Sequence, residues 1–547
     1  MPPQADHLIL HETDEAENHT AVFIYSEPSD SSKHSPARVD ISVRQHLSFV
    51  FRLSNMHCPR LRSRAGSYRC HFFPGLSFMD PPSDLVGCGP SGSSRSSRNG
   101  MSTSLGYLLT RFSPGFLQLY RRSAVVKGSS PRYECNASSH LISIYLTLAH
   151  TGIGVGNVDA SPTNALLLHI LQDTSGRIAT ILFAHRVGTA LEPECKTYRL
   201  AADVFNDIAM IMDCLSPMVP AGVMRVSVLS AAGVLRALCG VAGGSSKASL
   251  SAHFAKWGNL AELNAKDSSQ ETVISLFGML VGSVIVSHIT GFMMTWAALL
   301  FLLASHLSLN YAAVRSVQMT SLNRQRASMV FSTIIESDNY AKKKAVNLAI
   351  PTPAQIALDE RILAKGSPFF WVRNRSRQSL GSAEMGVSLA EFFARRRADI
   401  GKDTNTRAFH TNIPIKALKD LFEKEEYILY LTPQYQSQSQ GQGHAECKWH
   451  ASILLTPTST TKTQLKAWCH ALIVARALSE PAKPKSQPQS QPDLTDDAVL
   501  GYISETLNKL NEGRFEGYLS ALGEKGWDVT LSALEVRAGR RVCLESR

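Results

Sequence analysis

A dense polar block stands directly before a long run of mostly apolar residues, and this junction constrains the fold more than any other feature of the chain. The block, residues 265–272 with the sequence AKDSSQET, holds one lysine, two acidic side chains and one glutamine. An ionised side chain at the centre of a bilayer costs about 2.5–3.5 kcal/mol. The block must therefore lie at an interface, pair internally or line a polar cavity.

The residues after the block predict a transmembrane hairpin. Residues 273–289 (VISLFGMLVGSVIVSHI) and 292–309 (FMMTWAALLFLLASHLSL) contain no Asp, Glu, Lys or Arg, and a helix of about 20 residues spans the hydrocarbon core. The short link places both outer ends on one side, and the basic residues after 310 favour the cytoplasmic side. The alternative is a pair of buried helices in a large soluble domain.

Composition narrows the functional classes. The chain has 547 residues, a formal net charge of +11 and ten cysteines. Its basic residues are spread without a recognition helix, so nucleic-acid binding is not expected, and membrane lipid headgroups are a sufficient partner for the positive charge. The cysteines form no C-x-x-C pair, so we expect no metal site and no cofactor. The acidic start of the chain argues against a signal or transit peptide.

The chain divides by composition into three regions. We expect residues 1–103 to be a region that is disordered or unreliably translated from the gene. Residues 104–340 are expected to form a helical membrane domain, and 341–547 a soluble α+β domain with Gln/Pro-rich linkers. The predicted fold class is mainly α, a membrane-associated helical bundle with a smaller C-terminal α+β domain. The elements predicted in the last region are strands at 426–432, 448–456 and 534–544 and helices at 463–478 and 496–522.

Residues 197–215 predict an amphipathic helix with a polar stripe. At 100° per residue, four polar groups fall within an arc of about 80°, and a fifth flanks it. One interpretation is internal Arg–Asp pairing with a solvent-exposed edge; the other is a polar groove inside a bundle. The apolar stretch 223–243 also contains two arginines, natural partners for the aspartates. The stripe comprises Arg199, Asp203, Asn206 and Asp213, flanked by Asp207, and the arginines are Arg225 and Arg236.

The glycine runs and the histidines of the chain do not match familiar catalytic or phosphate-binding motifs. The glycine runs at 152–156 (GIGVG) and 240–244 (GVAGG) lack the spacing of a phosphate loop. Anion binding by the second run together with Lys247 stays open. His306 does not stand at metal-ligand spacing from another histidine, so a structural role is expected for it. We predict no catalytic site and no metal site.

Several motifs of the central region together resemble the root UVB sensitive family, whose domain is also described as a vitamin B6 photoprotection and homoeostasis domain. The resemblance covers about 150–330, and AKDSSQET is its most specific part. Residues 104–150 carry only a faint echo, FSPGF at 112–116, of the stretch that precedes the glycine run in the family. The matching motifs are GIGVG (152–156), GRIATILFAH (176–185), YRLAAD (198–203), GVAGG (240–244), NAKDSSQET (264–272), NYAAVR (310–315) and LNRQR (322–326).

The resemblance implies a membrane protein whose plant relatives are associated with responses to ultraviolet-B, auxin distribution and vitamin B6 homoeostasis. It brings no known catalytic reaction. We therefore expect a non-enzymatic protein that handles or senses a small polar metabolite, plausibly a B6 vitamer, with Lys266 or Arg199 suited to a phosphate or aldehyde group. The residues expected to bind the ligand are Arg199, Asp203, Asn206, Asp207, Lys266, Asp267, Gln270 and Glu271.

Two other functional classes stay open. In the first, the motifs only pack a helical scaffold, and the C-terminal domain binds a protein partner, either as a homo-oligomer or with another family member. In the second, the chain is an enzyme whose chemistry the order of residues does not reveal. Replacement of Lys266 by alanine separates the metabolite site from the scaffold, because it would remove ligand binding only in the former.

Overall fold

The computed structural model describes residues 7–26, 37–43, 162–363, 367–434, 448–479 and 496–546, apart from short gaps at 15–16, 221, 256–257, 290, 345–348, 374–375, 397–407 and 538. Several predictions fall outside these ranges: the character of residues 44–103, the echo at 112–116, the glycine run at 152–156, and most of the Gln-rich and Pro-rich linkers. All of the predicted ligand-binding residues lie within them.

A bundle of five long helices occupies residues 162–316. The helices are α1 (Pro162–Val187), α2 (Cys195–Leu215), α3 (Val223–Phe254), α4 (Leu260–His288) and α5 (Phe292–Ser316). Helix α3 packs along both α1 and α2, and α5 packs against α2, while α4 contacts its neighbours sparsely, through α3. Gly176 of α1 faces the backbone of Gly233 in α3; small residues at such a contact let two helices approach closely.

The two segments of the predicted hairpin are both helical, but the polar block does not lie outside these helices. Helix α4 runs without interruption from Leu260 to His288, so the block and the apolar segment 273–289 are parts of one helix. Helix α5 begins after Gly291, whose φ of +101° is a conformation that glycine adopts at little cost. Polar and apolar side chains share one helix because neither half of α4 contains a proline.

The second structural unit is built on a mixed sheet. Its strands are β1 (His7–Thr13), β2 (His19–Ser26), β3 (Ala37–Val43), β7 (Gly381–Met385), β8 (Ala408–Thr411), β9 (Tyr427–Gln434), β10 (Lys448–Leu455) and β12 (Arg541–Ser546). The strand order is β7-β10-β12-β1-β2-β3-β8, with β9 pairing antiparallel to β10. Strands β7 and β10 are parallel, whereas β12, β1, β2, β3 and β8 follow one another antiparallel.

Helices and two small sheets complete this unit. Strand β4 pairs with β11 in parallel, and β5 pairs with β6 antiparallel. These strands are β4 (Ser321–Asn323), β5 (Phe370–Arg373), β6 (Ser376–Ser379) and β11 (Asp528–Ala533). The helices are α6 (Arg324–Lys344), α7 (Pro353–Asp359), α8 (Leu389–Ala394), α9 (Ile415–Leu421), α10 (Thr461–Ser479), α11 (Asp496–Lys509) and α12 (Phe515–Glu524).

The N-terminal strands correct one prediction. Residues 7–13, 19–26 and 37–43 form β1, β2 and β3, so the expectation of disorder over 1–103 is wrong for these segments. Strand β1 pairs with the last strand of the chain, with Leu10 opposite Leu544. Because that partner lies more than five hundred residues away, local sequence gives no sign of the pairing.

The boundary between the two units also lies earlier than predicted. Helix α6 was expected in the membrane domain, which was placed over 104–340. Its side chains Phe331 and Ile334 are fully buried in the core shared with α10 and the sheet. The bundle therefore ends at α5, and everything from β4 onward belongs with the sheet unit.

The predicted elements of the C-terminal region are largely confirmed. The hairpin β9–β10 and helix α10 lie where the sequence places them. The helical segment 496–522 divides into α11 and α12 at a turn where Gly513 has φ +89°. The last strand, expected at 534–544, begins only at Arg541. The sheet unit has a hydrophobic core in which Trp371, Trp449 and Trp468 are almost fully buried.

Candidate functional site

Helix α2 turns its polar stripe toward the interior of the bundle. The exposed fractions are 1% for Arg199, 0% for Asp203, 7% for Asn206 and 7% for Asp213. Asp207, which flanks the stripe, is also buried. The interpretation of a solvent-exposed edge is therefore wrong for these side chains, and the stripe forms a polar core between α2, α3 and α5.

Neighbouring helices supply partners to this stripe. Arg236 of α3 forms an ion pair with Asp213, as the sequence predicted. Arg225, the other predicted partner, instead donates to the carbonyls of Pro217 and Val219 near the start of α3. Within α2, Arg199 Nη2 lies 3.7 Å from Asp203 Oδ1, a distance that allows charge attraction but is too long for a hydrogen bond.

Two residues of α5 extend the polar core. His306 Nδ1 lies 2.9 Å from Asp207 Oδ1 and 3.1 Å from Oδ2, and Asn310 Nδ2 lies 2.8 Å from His306 Nε2. An amide nitrogen only donates, so His306 Nε2 accepts and Nδ1–H donates to Asp207. We define the polar core as Arg199, Asp203, Asn206, Asp207 and Asp213 of α2, Arg236 of α3, and His306 and Asn310 of α5.

Part of the polar core lacks hydrogen-bond partners among the described residues. Both carboxylate oxygens of Asp203 and the amide nitrogen Nδ2 of Asn206 are buried without such a partner. An unsatisfied buried polar group costs about 1–3 kcal/mol, and more when it is charged. Native interiors satisfy the great majority of such groups. Asp203 and Asn206 are therefore two residues of the polar core that a further partner would stabilise.

The polar block of α4 divides between two faces. Asp267 is buried and lies 3.4 Å from Lys247 Nζ of α3, and Glu271 Oε1 lies 3.2 Å from the same nitrogen. Lys266 and Gln270 are exposed. Lys266 pairs with Glu262 one helical turn earlier. Helical periodicity explains the division, because residues 267 and 271 share a face that 266 and 270 do not.

The predicted ligand-binding residues are therefore not brought together as one site. Arg199, Asp203, Asn206 and Asp207 belong to the polar core, whereas Asp267 and Glu271 bind Lys247 at the contact between α3 and α4. Lys266 is exposed on α4 and does not share a site with the polar core. Its binding of a phosphate or aldehyde group stays a prediction.

His306 and Asn310 were not predicted as site residues. The sequence favoured a structural role for His306, and no role was predicted for Asn310. A usable signal was present: the two residues lie four positions apart in an apolar helix, so they share one face. Polar side chains on one face of such a helix indicate an interior partner.

A second buried charge cluster joins the bundle to the sheet unit. Glu360 accepts a hydrogen bond of 2.5 Å from Lys196 of α2 and one of 2.8 Å from Arg326 of α6. Burial favours the neutral form of Glu360, but Arg326 and Lys196 outweigh it and lower the pKa of this carboxyl. Thr197 Oγ1 also donates to the carbonyl of Ile362. The LNRQR motif thus anchors the helix that carries the polar stripe.

The outside of the bundle is apolar. Helices α3 and α5 are each long and apolar enough to cross a membrane, by length and composition alone, and no more than a third of the most apolar window of either is buried. The first predicted span, 273–289, instead belongs to α4. Large exposed apolar side chains include Ile181 and Leu182 of α1, Val223 and Met224 of α3, Val273, Leu276, Phe277 and Leu280 of α4, and Met293 and Phe301 of α5.

Comparison with known proteins gives matches in both units. Residues 133–338 match a family model described as a vitamin B6 photo-protection and homoeostasis domain, and residues 444–540 match one described as the C-terminal region of root UVB sensitive proteins. The first match contains the polar stripe and the AKDSSQET block. The second contains β10 and α10. No solved structure matches the chain significantly.

Curated relatives carry the same family name. RUS family member 1 of Dictyostelium discoideum is 39% identical over 216 residues, which are 39% of this chain and 39% of that protein. Protein root UVB sensitive 3 of Arabidopsis thaliana is 27% identical over 366 residues, 66% of this chain and 72% of that protein. Protein root UVB sensitive 2 of the same plant, named as chloroplastic, is 21% identical over 65% of this chain and 67% of its own length.

Proposed function

Because this chain belongs to the root UVB sensitive family, we propose that it is a membrane-embedded, non-enzymatic protein that binds a small polar metabolite in the polar core of its helical bundle. The description of the matching domain makes a vitamin B6 vitamer the first candidate. The observation that carries the proposal is an inverted distribution of polarity: the bundle buries ionised side chains and exposes large apolar ones.

The exposed surface supports a lipid environment. Side chains such as Val223, Met293 and Phe301 are more than two-thirds exposed, and soluble monomers rarely expose extended apolar patches. A core helix of a soluble protein would be mostly buried, which α3 and α5 are not. In a bilayer these side chains contact lipid, and the cost of their exposure to water disappears.

The interior supports a binding role. Ionisable groups within membrane helices are expensive, and they mark ligand or ion sites when they face the inside of a bundle. Asp203 is fully buried, and its carboxylate lacks a hydrogen-bond partner among the described residues. A scaffold that only packed helices would not require this group.

The test has two stages on the full chain. Membranes from cells that express it with a C-terminal tag are extracted with carbonate and then treated with protease from the cytosolic side. We expect the protein in the pellet and the tag accessible to protease. Release into the supernatant would contradict membrane embedding and favour a soluble scaffold.

The second stage measures binding of pyridoxine, pyridoxamine and pyridoxal phosphate to the purified protein in lipid nanodiscs. Saturable binding of any of these vitamers supports the metabolite role. Retention in the membrane without vitamer binding would preserve the membrane assignment and reject vitamin B6 as the ligand. Chemical conversion of a bound vitamer would contradict the non-enzymatic assignment.

A further inference from the structure

The polar core carries more negative than positive groups. It contains three carboxylates, those of Asp203, Asp207 and Asp213, and two guanidiniums, those of Arg199 and Arg236. His306 Nε2 accepts from Asn310, and its Nδ1–H donates to Asp207. The polar core thus has three carboxylates for two guanidiniums.

The hydrogen bonding of these groups distinguishes one carboxylate, that of Asp203. Arg236 pairs with Asp213, and Asp207 accepts from His306. Asp203 has only the longer 3.7 Å contact with Arg199, and neither of its oxygens accepts a hydrogen bond from any described residue. A buried carboxylate in this state is stabilised most by a cation that also donates a hydrogen bond.

Asn206 adds a second requirement. It lies three residues after Asp203, so the two side chains share a face of α2. Its amide Nδ2 is a buried donor without an acceptor among the described residues. The two positions together offer a carboxylate that accepts and an amide that donates.

Resting on the function proposed above, we propose that the polar core selects a small organic cation: its N–H⁺ group donates to Asp203, and a hydroxyl or phenolate oxygen of the ligand accepts from Asn206. Among B6 vitamers, this selects the dephosphorylated, amine-bearing form over the phosphate esters.

A phosphate group is disfavoured for the same electrostatic reason. Proteins bind phosphate with guanidinium or ammonium groups or with clusters of backbone N–H groups. Both guanidiniums of the polar core lie beside carboxylates. A dianion would therefore meet three carboxylates in a site of low dielectric, where like charges repel strongly.

The first experiment uses the unmodified full chain in nanodiscs, with four probes at neutral pH. Pyridoxamine and benzylamine are cationic, whereas pyridoxal phosphate and phenyl phosphate carry anionic phosphate; pyridoxamine also has a hydroxyl on its ring that benzylamine lacks. Equilibrium dialysis is expected to rank pyridoxamine first, benzylamine second and both phosphates at least tenfold weaker than pyridoxamine.

Variants then test the two residues separately. Asp203→Asn preserves shape and removes the charge, and it should weaken both amines by roughly 10- to 100-fold, the range expected for a charged hydrogen bond. Asn206→Leu should weaken pyridoxamine but not benzylamine. The matched control is Asp173→Asn, an exposed residue of α1 that pairs with Arg177 and should change neither affinity.

The outcomes separate this inference from the proposed function. Tighter binding of pyridoxal phosphate than of pyridoxamine would overturn the inference and leave the B6 role intact. Binding of benzylamine that depends on Asp203, without binding of any vitamer, would support the cation site and reject vitamin B6 as its ligand. Binding of none of the four probes would overturn the inference, and absence of pyridoxine binding as well would overturn the proposed B6 role. Because the ranking uses the unmodified chain, it stands even if Asp203→Asn fails to fold.

Discussion

The bundle and the sheet unit distribute polarity in opposite ways. The sheet unit buries tryptophans, and its ion pair between Lys462 and Glu516 lies at the surface. The bundle buries Arg199 and Asp203 and exposes Phe301, which is 71% accessible. Folding in water drives apolar side chains inward, so the sheet unit follows the rule for an aqueous protein. This difference is what the proposed lipid environment of the bundle predicts.

The buried cluster at the junction gives the largest expected effect and tests whether the two units depend on each other. Replacement of Glu360 by glutamine leaves Lys196 and Arg326 without a counter-charge in a buried site, which should cost about 3–5 kcal/mol of stability. Chemical denaturation of the chain in nanodiscs, monitored by tryptophan fluorescence, measures this loss. The control Glu505→Gln removes an exposed pair with Lys509 and should have little effect. Equal behaviour of the two variants would show that the junction contributes no coupling.

The apolar exterior provides the next test. Phe301→Lys places a charge on the outer face of α5, which costs about 2.5–3.5 kcal/mol at the centre of a bilayer. We expect a clear loss of the protein from carbonate-extracted membranes. Leu531→Lys, at an exposed apolar position of β11 in the sheet unit, is the control and should leave retention unchanged. Similar retention of both variants would mean that the exposed face of α5 is not in contact with lipid.

Acid should destabilise the sheet unit through two buried histidines. Burial lowers the pKa of His470 to about 3 and that of His450 to about 4. Because both pKa values lie below that of an unfolded histidine, this contribution to stability is complete above about pH 6.5 and declines as the pH falls toward the folded values. Each histidine should lower the free energy of unfolding by about 2 kcal/mol between pH 7 and pH 5.

The variant His470→Gln isolates the contribution of His470 to the pH dependence of stability. His470 donates from Nε2–H to the carbonyl of Ile503 and accepts from the Tyr427 hydroxyl at Nδ1, and an amide can do both without titrating. Denaturation as a function of pH should show a shallower slope for His470→Gln than for the unmodified chain. His19→Gln, at an exposed position of β2, should keep the original slope. An unchanged slope in His470→Gln would refute the assignment.

The smallest effect is expected at α4, where two lysines of the same region have different surroundings. Lys247→Met removes the partner of Asp267 and Glu271 and should raise amide exchange in α4 several-fold, because α4 has few other contacts. Lys266→Met removes only an exposed pair with Glu262 and should leave exchange nearly unchanged. Hydrogen exchange with mass spectrometry compares them, and the reverse order would contradict the placement of the two lysines.

Periodicity predicted most of what lies within single elements. The polar stripe of α2, the hairpin β9–β10 and helix α10 were all predictable, because each depends on side-chain spacing of 3.6 or 2 residues. The pairing of Asp213 with Arg236 was also predictable, since both residues are ionised in apolar segments and require counter-charges. Periodicity does not predict which helix or strand packs against each face of an element.

Three features show this limit. The strands β1, β2 and β3 were missed because their stability comes from pairing with β12 and β8, which are distant in sequence. The position of α6 was misassigned because its core partners are α10 and the sheet. Lys266 was predicted to bind the ligand, whereas Lys247 was only left open as an anion-binding residue. The packing of α4 on α3 places Lys266 outside and Lys247 beside Asp267.

The sequence by itself determined the membership of a family, the helical nature of the central region, and the rule that its charged groups must find partners. These follow from residue type and spacing, which act locally. Only the tertiary structure decided that the stripe of α2 faces inward, that His306 and Asn310 join it, and that neither carboxylate oxygen of Asp203 accepts a hydrogen bond from a described residue. These depend on which helices lie side by side, because burial and charge pairing are properties of the assembled bundle.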